Sequence, residues 1–142
     1  AVGPSNAHSG TSAWGTRLND CFTPYGNNAG AGASVCQNTA PNDDSILRFI
    51  VQLPSWSTAT LRYWSWEDFG GDFDWAEVRV HGEMLAGSQI CGGTPTPTGW
   101  VERGLDLSAY AGQIVEVSFH MMASSLTNHA GWYIDDLSID GS

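Results

Sequence analysis

A serine near the start of the chain has neighbours typical of a hydrolytic nucleophile, in the run Gly10-Thr11-Ser12. Such a serine needs a histidine base and a carboxylate that orients the base. In enzymes with this motif the aspartate and the histidine precede the serine, but only eleven residues precede Ser12 and none of them is an aspartate. His8 is close in sequence, yet a single histidine does not make a triad. The sequence therefore predicts that Ser12 is not catalytic.

An acidic loop offers a second kind of chemistry, because Glu67, Asp68, Asp72 and Asp74 fall within eight residues. A glycoside hydrolase would need two carboxylates held across a cleft, about 5 to 9.5 Å apart. The adjacent Gly70-Gly71 pair indicates a turn rather than a rigid catalytic wall. Calcium accepts about six to eight oxygen ligands with little demand on angle, so such a loop can bind it. We favour Glu67 and Asp74 as its ligands over the alternatives, which are Asp72 in the same loop and Asn19 and Asp20 after an earlier predicted strand.

The two carboxylates of Asp135 and Asp136 interrupt the alternation of a strand near the C-terminus. If Ile134 points inward, strict alternation turns Asp136 inward, whereas inward Leu137 and Ile139 would turn Asp135 inward instead. The phase must slip here, and a β-bulge is the simplest way. We expect the bulge to aim at least one carboxylate into the protein. A buried carboxylate needs a metal, an arginine or backbone amides.

The elements that would position these residues are strands, because apolar residues recur with a period of two and no long stretch has a helical period. Turn-forming residues separate the strands, and the segment LDLSAYAG can form one helical turn. This pattern predicts an all-β fold, a jelly-roll β-sandwich of two antiparallel sheets, in a single domain spanning residues 1–142. The residues expected on the buried faces are Leu47, Phe49, Val51, Leu53, Leu61, Tyr63, Ala76, Val78, Val80, Val115, Val117, Phe119 and Met121.

Several segments occur in an order that resembles a known family. They are AHSGTSAWGT, TLRYWSWEDFGGDFDWAEVRV, then Trp100 followed by GLDLSAYAGQIVEVSF, and GWYIDDLSI. Together they resemble jelly-roll modules appended to secreted bacterial peptidases of the immune inhibitor A type, and more distantly MAM domains and the cleaved-adhesin modules of gingipains. The resemblance implies a noncatalytic accessory module. In related jelly rolls an acidic residue of the final strand binds calcium, which implies Asp136 as a ligand, with Asp135 second.

The chain is rich in aromatic residues, with seven Trp, five Phe and four Tyr. Trp64 and Trp66 fall on the same face of a predicted strand, so they could form a platform on which sugar rings stack. The alternative is packing in or beside the core, which is the commoner fate of tryptophan in a sandwich.

Three cysteines bear on the compartment. Cys21 and Cys36 flank a loop rich in Gly and Asn, and we expect a disulfide between them, worth about 3 kcal/mol in the chain-entropy account. Cys91 would then be a free thiol. A three-cysteine zinc site is disfavoured because no CxxC pair is present.

The chain is strongly acidic, with a formal net charge of −10 and five Arg but no Lys. This charge disfavours nucleic acids and anionic membranes as partners and is compatible with divalent cations. No apolar run is long enough to span a membrane, and AVGPSNAHSG is not an export signal. We expect a secreted protein whose signal has been removed or lies outside the given sequence. We expect a monomer that contacts an extracellular protein or glycan and the neighbouring domains of a larger protein.

The function predicted from these observations is that of a calcium-stabilised, noncatalytic module of a secreted peptidase or other hydrolase, acting in binding or adhesion. Two alternatives stay open. One is a carbohydrate-binding module that uses exposed tryptophans, and the other is a small glycan-active hydrolase.

Overall fold

A computed structural model describes residues 4–15, 43–69, 74–91, 99–123 and 130–142. These residues form nine β-strands and one 3₁₀ turn, Ser108–Tyr110, within the segment where a helical turn is predicted. The strands are β1 Trp14–Gly15, β2 Asp43–Gln52, β3 Ala59–Asp68, β4 Trp75–Val80, β5 Glu83–Met84, β6 Ile90–Cys91, β7 Val101–Asp106, β8 Ile114–Ala123 and β9 Gly131–Gly141. No helix in the described part of the chain is long and apolar enough to cross a membrane.

The strands pair into two antiparallel sheets. The four-stranded sheet has the order β1-β9-β3-β7, and the five-stranded sheet has the order β2-β8-β4-β5, with β6 also paired to β4. The long strands β2, β3, β4, β7, β8 and β9 alternate between the two sheets along the chain, which is how a jelly roll is wound. The predicted fold class, a jelly-roll β-sandwich of two antiparallel sheets, is confirmed.

The core lies between the sheets and is formed by the inward residues of the alternating strands. In β8 the residues Val115, Val117 and Phe119 are buried, and Phe119 packs edge-on against Tyr63 of the opposite sheet, with 5.0 Å between ring centroids. Fully burying a side chain of this size contributes roughly 1.5 to 3 kcal/mol. The predicted inward faces of β3, β4 and β8 are therefore correct.

The last strand contains the predicted bulge. Arg62 of β3 pairs with Ser138 and Trp64 pairs with Asp135, so two residues of β9 stand opposite Tyr63 alone. Asp136 adopts a left-handed backbone conformation there, with φ of 47°. The expectation that at least one carboxylate points inward is wrong, however, because the Asp136 side chain is 36% exposed and Asp135 stands opposite Trp64, which alternates with buried residues of β3 and so faces outward. The extra residue turns its side chain away from the core rather than into it.

An N-terminal segment, residues 4–13, crosses the outer face of the four-stranded sheet. Tyr133 points outward beside Trp66, yet it is buried because it borders this segment at Pro4, Asn6 and Gly10. The segment thus covers part of a face that would otherwise be open to solvent.

Cys91, in β6, is disulfide-bonded, so the expected free thiol is wrong. Cys21 and Cys36 are the other cysteines of the chain, and both lie outside the described residues. A cysteine can form only one disulfide bond. If Cys91 is bonded to Cys21 or to Cys36, the expected Cys21–Cys36 disulfide cannot form.

Candidate ligand site

Aromatic side chains cluster on the outer face of the four-stranded sheet. Strand β3 buries Tyr63, Ser65 and Glu67 on its inner face, so Trp64 and Trp66 project outward together, as predicted. Both indoles are partly buried rather than open, because other parts of the chain lie against them.

Trp64 is covered by a histidine of the N-terminal segment. The His8 ring stacks on the Trp64 indole, with centroids 3.7 Å apart and an interplanar angle of 12°. The same imidazole meets Trp100 edge-on at 6.1 Å. The predicted sugar platform requires one open face on Trp64 and one on Trp66, and the His8 ring covers the face of Trp64.

Hydrogen bonds attach the N-terminal segment to the bulge. His8 Nδ1 lies 2.7 Å from Asp136 Oδ2, the Ser9 hydroxyl donates to Asp136 Oδ1, and the Ser9 amide donates to Asp135 Oδ2 at 3.1 Å. The backbone amide of Asp136 also donates to Asp135 Oδ1, at 2.8 Å. The hydrogen bonds from Ser9, and then the one from His8, hold the pKa of Asp136 below its ordinary value. The two carboxylates that sequence predicted as metal ligands thus anchor this segment.

Trp66 and Trp100 border a cavity of about 310 Å³ beneath the N-terminal segment. The Trp66 indole meets Tyr133 edge-on at 5.6 Å, and Trp100 Nε1 donates to the Asn6 carbonyl at 3.2 Å, so both rings are held in place. The remaining lining residues are Pro4, Ser5, Asn6, Ala7, His8 and Gly99. Two indoles with amide, hydroxyl and imidazole groups make a lining that is aromatic and almost uncharged.

Glu67, a predicted calcium ligand, is bound by an arginine inside the sandwich. Arg103 donates to both of its carboxylate oxygens, at 2.9 Å to Oε1 and 2.7 Å to Oε2, and the Glu67 side chain is only 2% exposed. The Ser65 hydroxyl donates to Oε1 at 2.5 Å and accepts a hydrogen bond from Trp132 Nε1 at 2.8 Å. Burial raises the pKa of the adjacent Tyr63 phenol well above its ordinary value. The carboxylate is therefore stabilised by an arginine, one of the alternatives left open for an inward acid.

The four predicted calcium ligands do not come together. Asp135 and Asp136 lie on the outer bulge, Glu67 lies inside the sandwich, and Asp74 is fully buried just before β4, where it has a partner. Within the described ranges, no three His, Cys, Asp or Glu side chains are grouped so that they could hold a metal. These residues do not fit a calcium ion, which needs about six oxygen ligands. Calcium binding stays a prediction.

Catalytic arrangements are equally lacking in the part of the chain that the structure describes. Ser12 is exposed, and Ser9 and His8 both donate to Asp136, whereas in a triad the serine donates to the histidine. On the five-stranded sheet, Ser118 Oγ lies 3.0 Å from His120 Nε2, but both side chains are buried. A nucleophile shielded in this way cannot reach a substrate.

Sequence reasoning missed His8, Ser9 and Trp100 as site residues. The sequence presents His8 only as a possible base for Ser12 and Trp100 only as part of the family resemblance. Their roles depend on contacts between distant parts of the chain, such as the 128 residues that separate His8 from Asp136. The signal that was available is the excess of aromatic residues at positions 64, 66 and 100.

Comparison with known proteins places this chain beside bacterial peptidases. No protein-family model matches it. It is 33% identical over 99 residues to the pre-pro-metalloprotease PrtV of Vibrio cholerae serotype O1. This alignment covers 62% of this chain and 11% of PrtV. It is 30% identical over 138 residues to bacillopeptidase F of Bacillus subtilis. This alignment covers 96% of this chain and 8% of that protein. The chain thus spans about a tenth of the length of these relatives.

Among solved structures, the chain resembles the C-terminal domain of EclA, described as a sugar-binding protein. The TM-score is 0.48 at 14% identity, over 82% of this chain and 90% of that one. A likeness at this level carries no argument about the ligand of this chain.

Proposed function

We propose that this chain is a noncatalytic, extracellular accessory module of a bacterial peptidase and that it binds neutral glycans in the cavity between Trp66 and Trp100. The observation that carries the glycan proposal is the lining of this cavity, which combines two partly exposed indoles with almost uncharged polar groups. Ligand sites typically combine aromatic walls with a few polar groups that fix orientation, in volumes of roughly 300 to 1,000 Å³.

The chemistry of a sugar ring suits this lining. One face of the ring carries C–H groups that pack on an indole, and its edge carries hydroxyls that donate and accept hydrogen bonds. Asn6 and Ser5 supply an amide and a hydroxyl at the same cavity. The net charge of −10 disfavours anionic polysaccharides, so a neutral glycan is the better ligand.

The accessory role is supported by how small a part of each relative aligns with this chain. Bacillopeptidase F matches nearly the whole of this chain with only 8% of its own length. A match to so small a part of a peptidase does not assign peptidase activity to this chain. The described residues hold no catalytic triad. An extracellular location agrees with the disulfide at Cys91, since such bonds persist in oxidising compartments.

Affinity electrophoresis tests the proposal. Gels containing neutral polysaccharides should retard the protein, and a gel containing an anionic polysaccharide should not. Trp66→Ala should abolish the retardation. Trp14→Ala is the matched control, because Trp14 is exposed but does not border this cavity. Release of sugar or peptide fragments during prolonged incubation would contradict the noncatalytic part of the proposal, and retardation unaffected by Trp66→Ala would contradict the site.

A further inference from the structure

A second surface lies at the edge of the sandwich, where β1 of one sheet approaches β2 of the other. Two adjoining hollows, of about 320 and 620 Å³, share Trp14, Leu47 and Ile134 as lining residues. We call them together the edge groove. None of their lining residues borders the Trp66–Trp100 cavity.

The smaller hollow is an apolar slot between the sheets. Phe119 and Trp132 of the core border it, and Ile46 stands at its rim. Trp14 pairs with Ile134, so its indole lies on the side of the sheet that faces β2, and it is 66% exposed. An indole this exposed beside an open slot offers an apolar surface that an incoming side chain could cover.

The larger hollow ends at negative charge. Asp135 and Asp136 border it next to Trp14, and Leu137 lies beside them. Within the described residues, neither carboxylate pairs with an arginine: Asp136 contacts the His8 imidazole, and Asp135 accepts hydrogen bonds from backbone amides. The groove therefore joins an aromatic surface on the inner side of the sheet edge to two carboxylates on the bulge that no arginine of the described residues pairs with. Arginine and lysine side chains complement both, because they pair with carboxylates and stack on indoles.

We propose that the edge groove docks an extended basic segment of a partner polypeptide. One apolar side chain of the segment enters the slot, and an arginine or lysine side chain packs on Trp14 with its charge toward Asp135. The net charge of −10, with five arginines and no lysine, extends the attraction for a basic partner beyond the groove. The docking surface differs from the glycan cavity, but Asp135 and Asp136 also anchor the N-terminal segment that walls that cavity, so Trp14 is the residue that belongs to the edge groove alone.

Fluorescence anisotropy with labelled synthetic peptides tests the docking. A blocked hexapeptide of alternating leucine and arginine is compared with the same peptide carrying glutamate in place of arginine. Only the arginine peptide should bind, and raising the salt from about 50 to about 500 mM should weaken it several-fold, because screening reduces ion pairing. Trp14→Ala should weaken binding about tenfold and Asp135→Asn about threefold, whereas Trp66→Ala should leave it unchanged.

Several results would overturn the docking proposal. They are equal binding of the two peptides, binding that ignores Trp14→Ala, and binding of a neutral oligosaccharide at Trp14 in place of the peptide. Sedimentation that showed Trp14-dependent dimers would assign the groove to a second copy of the chain. Thermal melts of each variant exclude misfolding, and Trp14→Ala should melt as the wild type does because its side chain is mostly exposed. Loss of glycan binding in Trp66→Ala with peptide binding retained would separate the two sites.

Discussion

His8 stacks face to face on Trp64, with 3.7 Å between ring centroids, while its Nδ1 lies 2.7 Å from Asp136 Oδ2. One imidazole therefore joins the N-terminal segment to two strands, β3 through the indole and β9 through the bulge. The segment in turn forms the wall of the cavity that Trp66 and Trp100 border. The geometry of the proposed glycan site depends on this contact.

Replacing His8 should loosen the N-terminal segment. His8→Ala removes the ring contact, and aromatic pairs of this kind contribute about 1 kcal/mol beyond their burial. A loss of that size should lower the melting temperature by about 3 to 5 °C for a domain of this length. Acrylamide quenching of tryptophan fluorescence should increase as Trp64 becomes accessible. Ser12→Ala is the control, because Ser12 is exposed, and quenching equal to that of His8→Ala would contradict the stacking.

The Asp136 contacts predict a dependence on pH. Ser9 and His8 hold the pKa of Asp136 below its ordinary value of about 4, so its contribution to stability is complete above that value. The contribution is lost as the pH falls through the lowered folded value. Asp136→Asn should therefore melt below the wild type at pH 6, and the difference should shrink as the pH falls below the ordinary aspartate value. The difference should be the same in EDTA and in millimolar calcium, whereas a difference confined to calcium would support the predicted metal site instead.

The ion pair between buried Glu67 and partly exposed Arg103 should be a sensitive polar contact at the edge of the core. Arg103→Met leaves the Glu67 carboxylate, only 2% exposed, without its arginine; because the Arg103 side chain is itself 39% exposed, we expect a loss of about 1 to 3 kcal/mol, below that of a fully buried pair. Chemical denaturation should show this loss as a lower midpoint. Arg62→Met is the matched control, because the ion pairs that Arg62 forms with described residues are exposed on the outer face, and such pairs are worth under about 1 kcal/mol. Equal losses in the two variants would contradict the burial of Glu67.

The bridge at Cys91 can be mapped directly. Proteolysis of the unreduced protein followed by mass spectrometry should yield a peptide that links Cys91 to Cys21 or Cys36, with one thiol left for alkylation. A bridge that closes a loop of several tens of residues is worth about 4 kcal/mol in the chain-entropy account, so reduction should lower the melting temperature clearly. Recovery of alkylated Cys91 from the unreduced protein would refute this bridge.

The fold was predictable because alternation is a local signal. The period of two in β8, from Val115 to Met121, already separates the buried face from the outer face. The same rule applied to β3 places Glu67 on the same face as Leu61 and Tyr63, so the burial of Glu67 could have been predicted from the sequence. The arginine that stabilises it was not, because Arg103 arrives from a distant strand.

The site was less predictable for physical reasons. The conflict of phase at Asp135 and Asp136 correctly indicated a bulge, but alternation says nothing about the direction in which the extra residue points. The N-terminal segment has no periodicity, and His8 and Ser9 find their partners only after β9 is in place. A local sequence pattern gives no information about contacts between residues that are so far apart in the chain.

Binding of a neutral glycan is tested most directly by isothermal titration of the wild type, Trp66→Ala and Trp14→Ala with the polysaccharide that retards the wild type most. Truncating a central aromatic anchor costs about 2 kcal/mol or more, so Trp66→Ala should weaken binding roughly 30-fold. Trp14→Ala should bind as the wild type does, because Trp14 lies in the edge groove. Wild-type affinity retained in Trp66→Ala, or lost in Trp14→Ala alone, would contradict the assignment of the glycan site to the Trp66–Trp100 cavity.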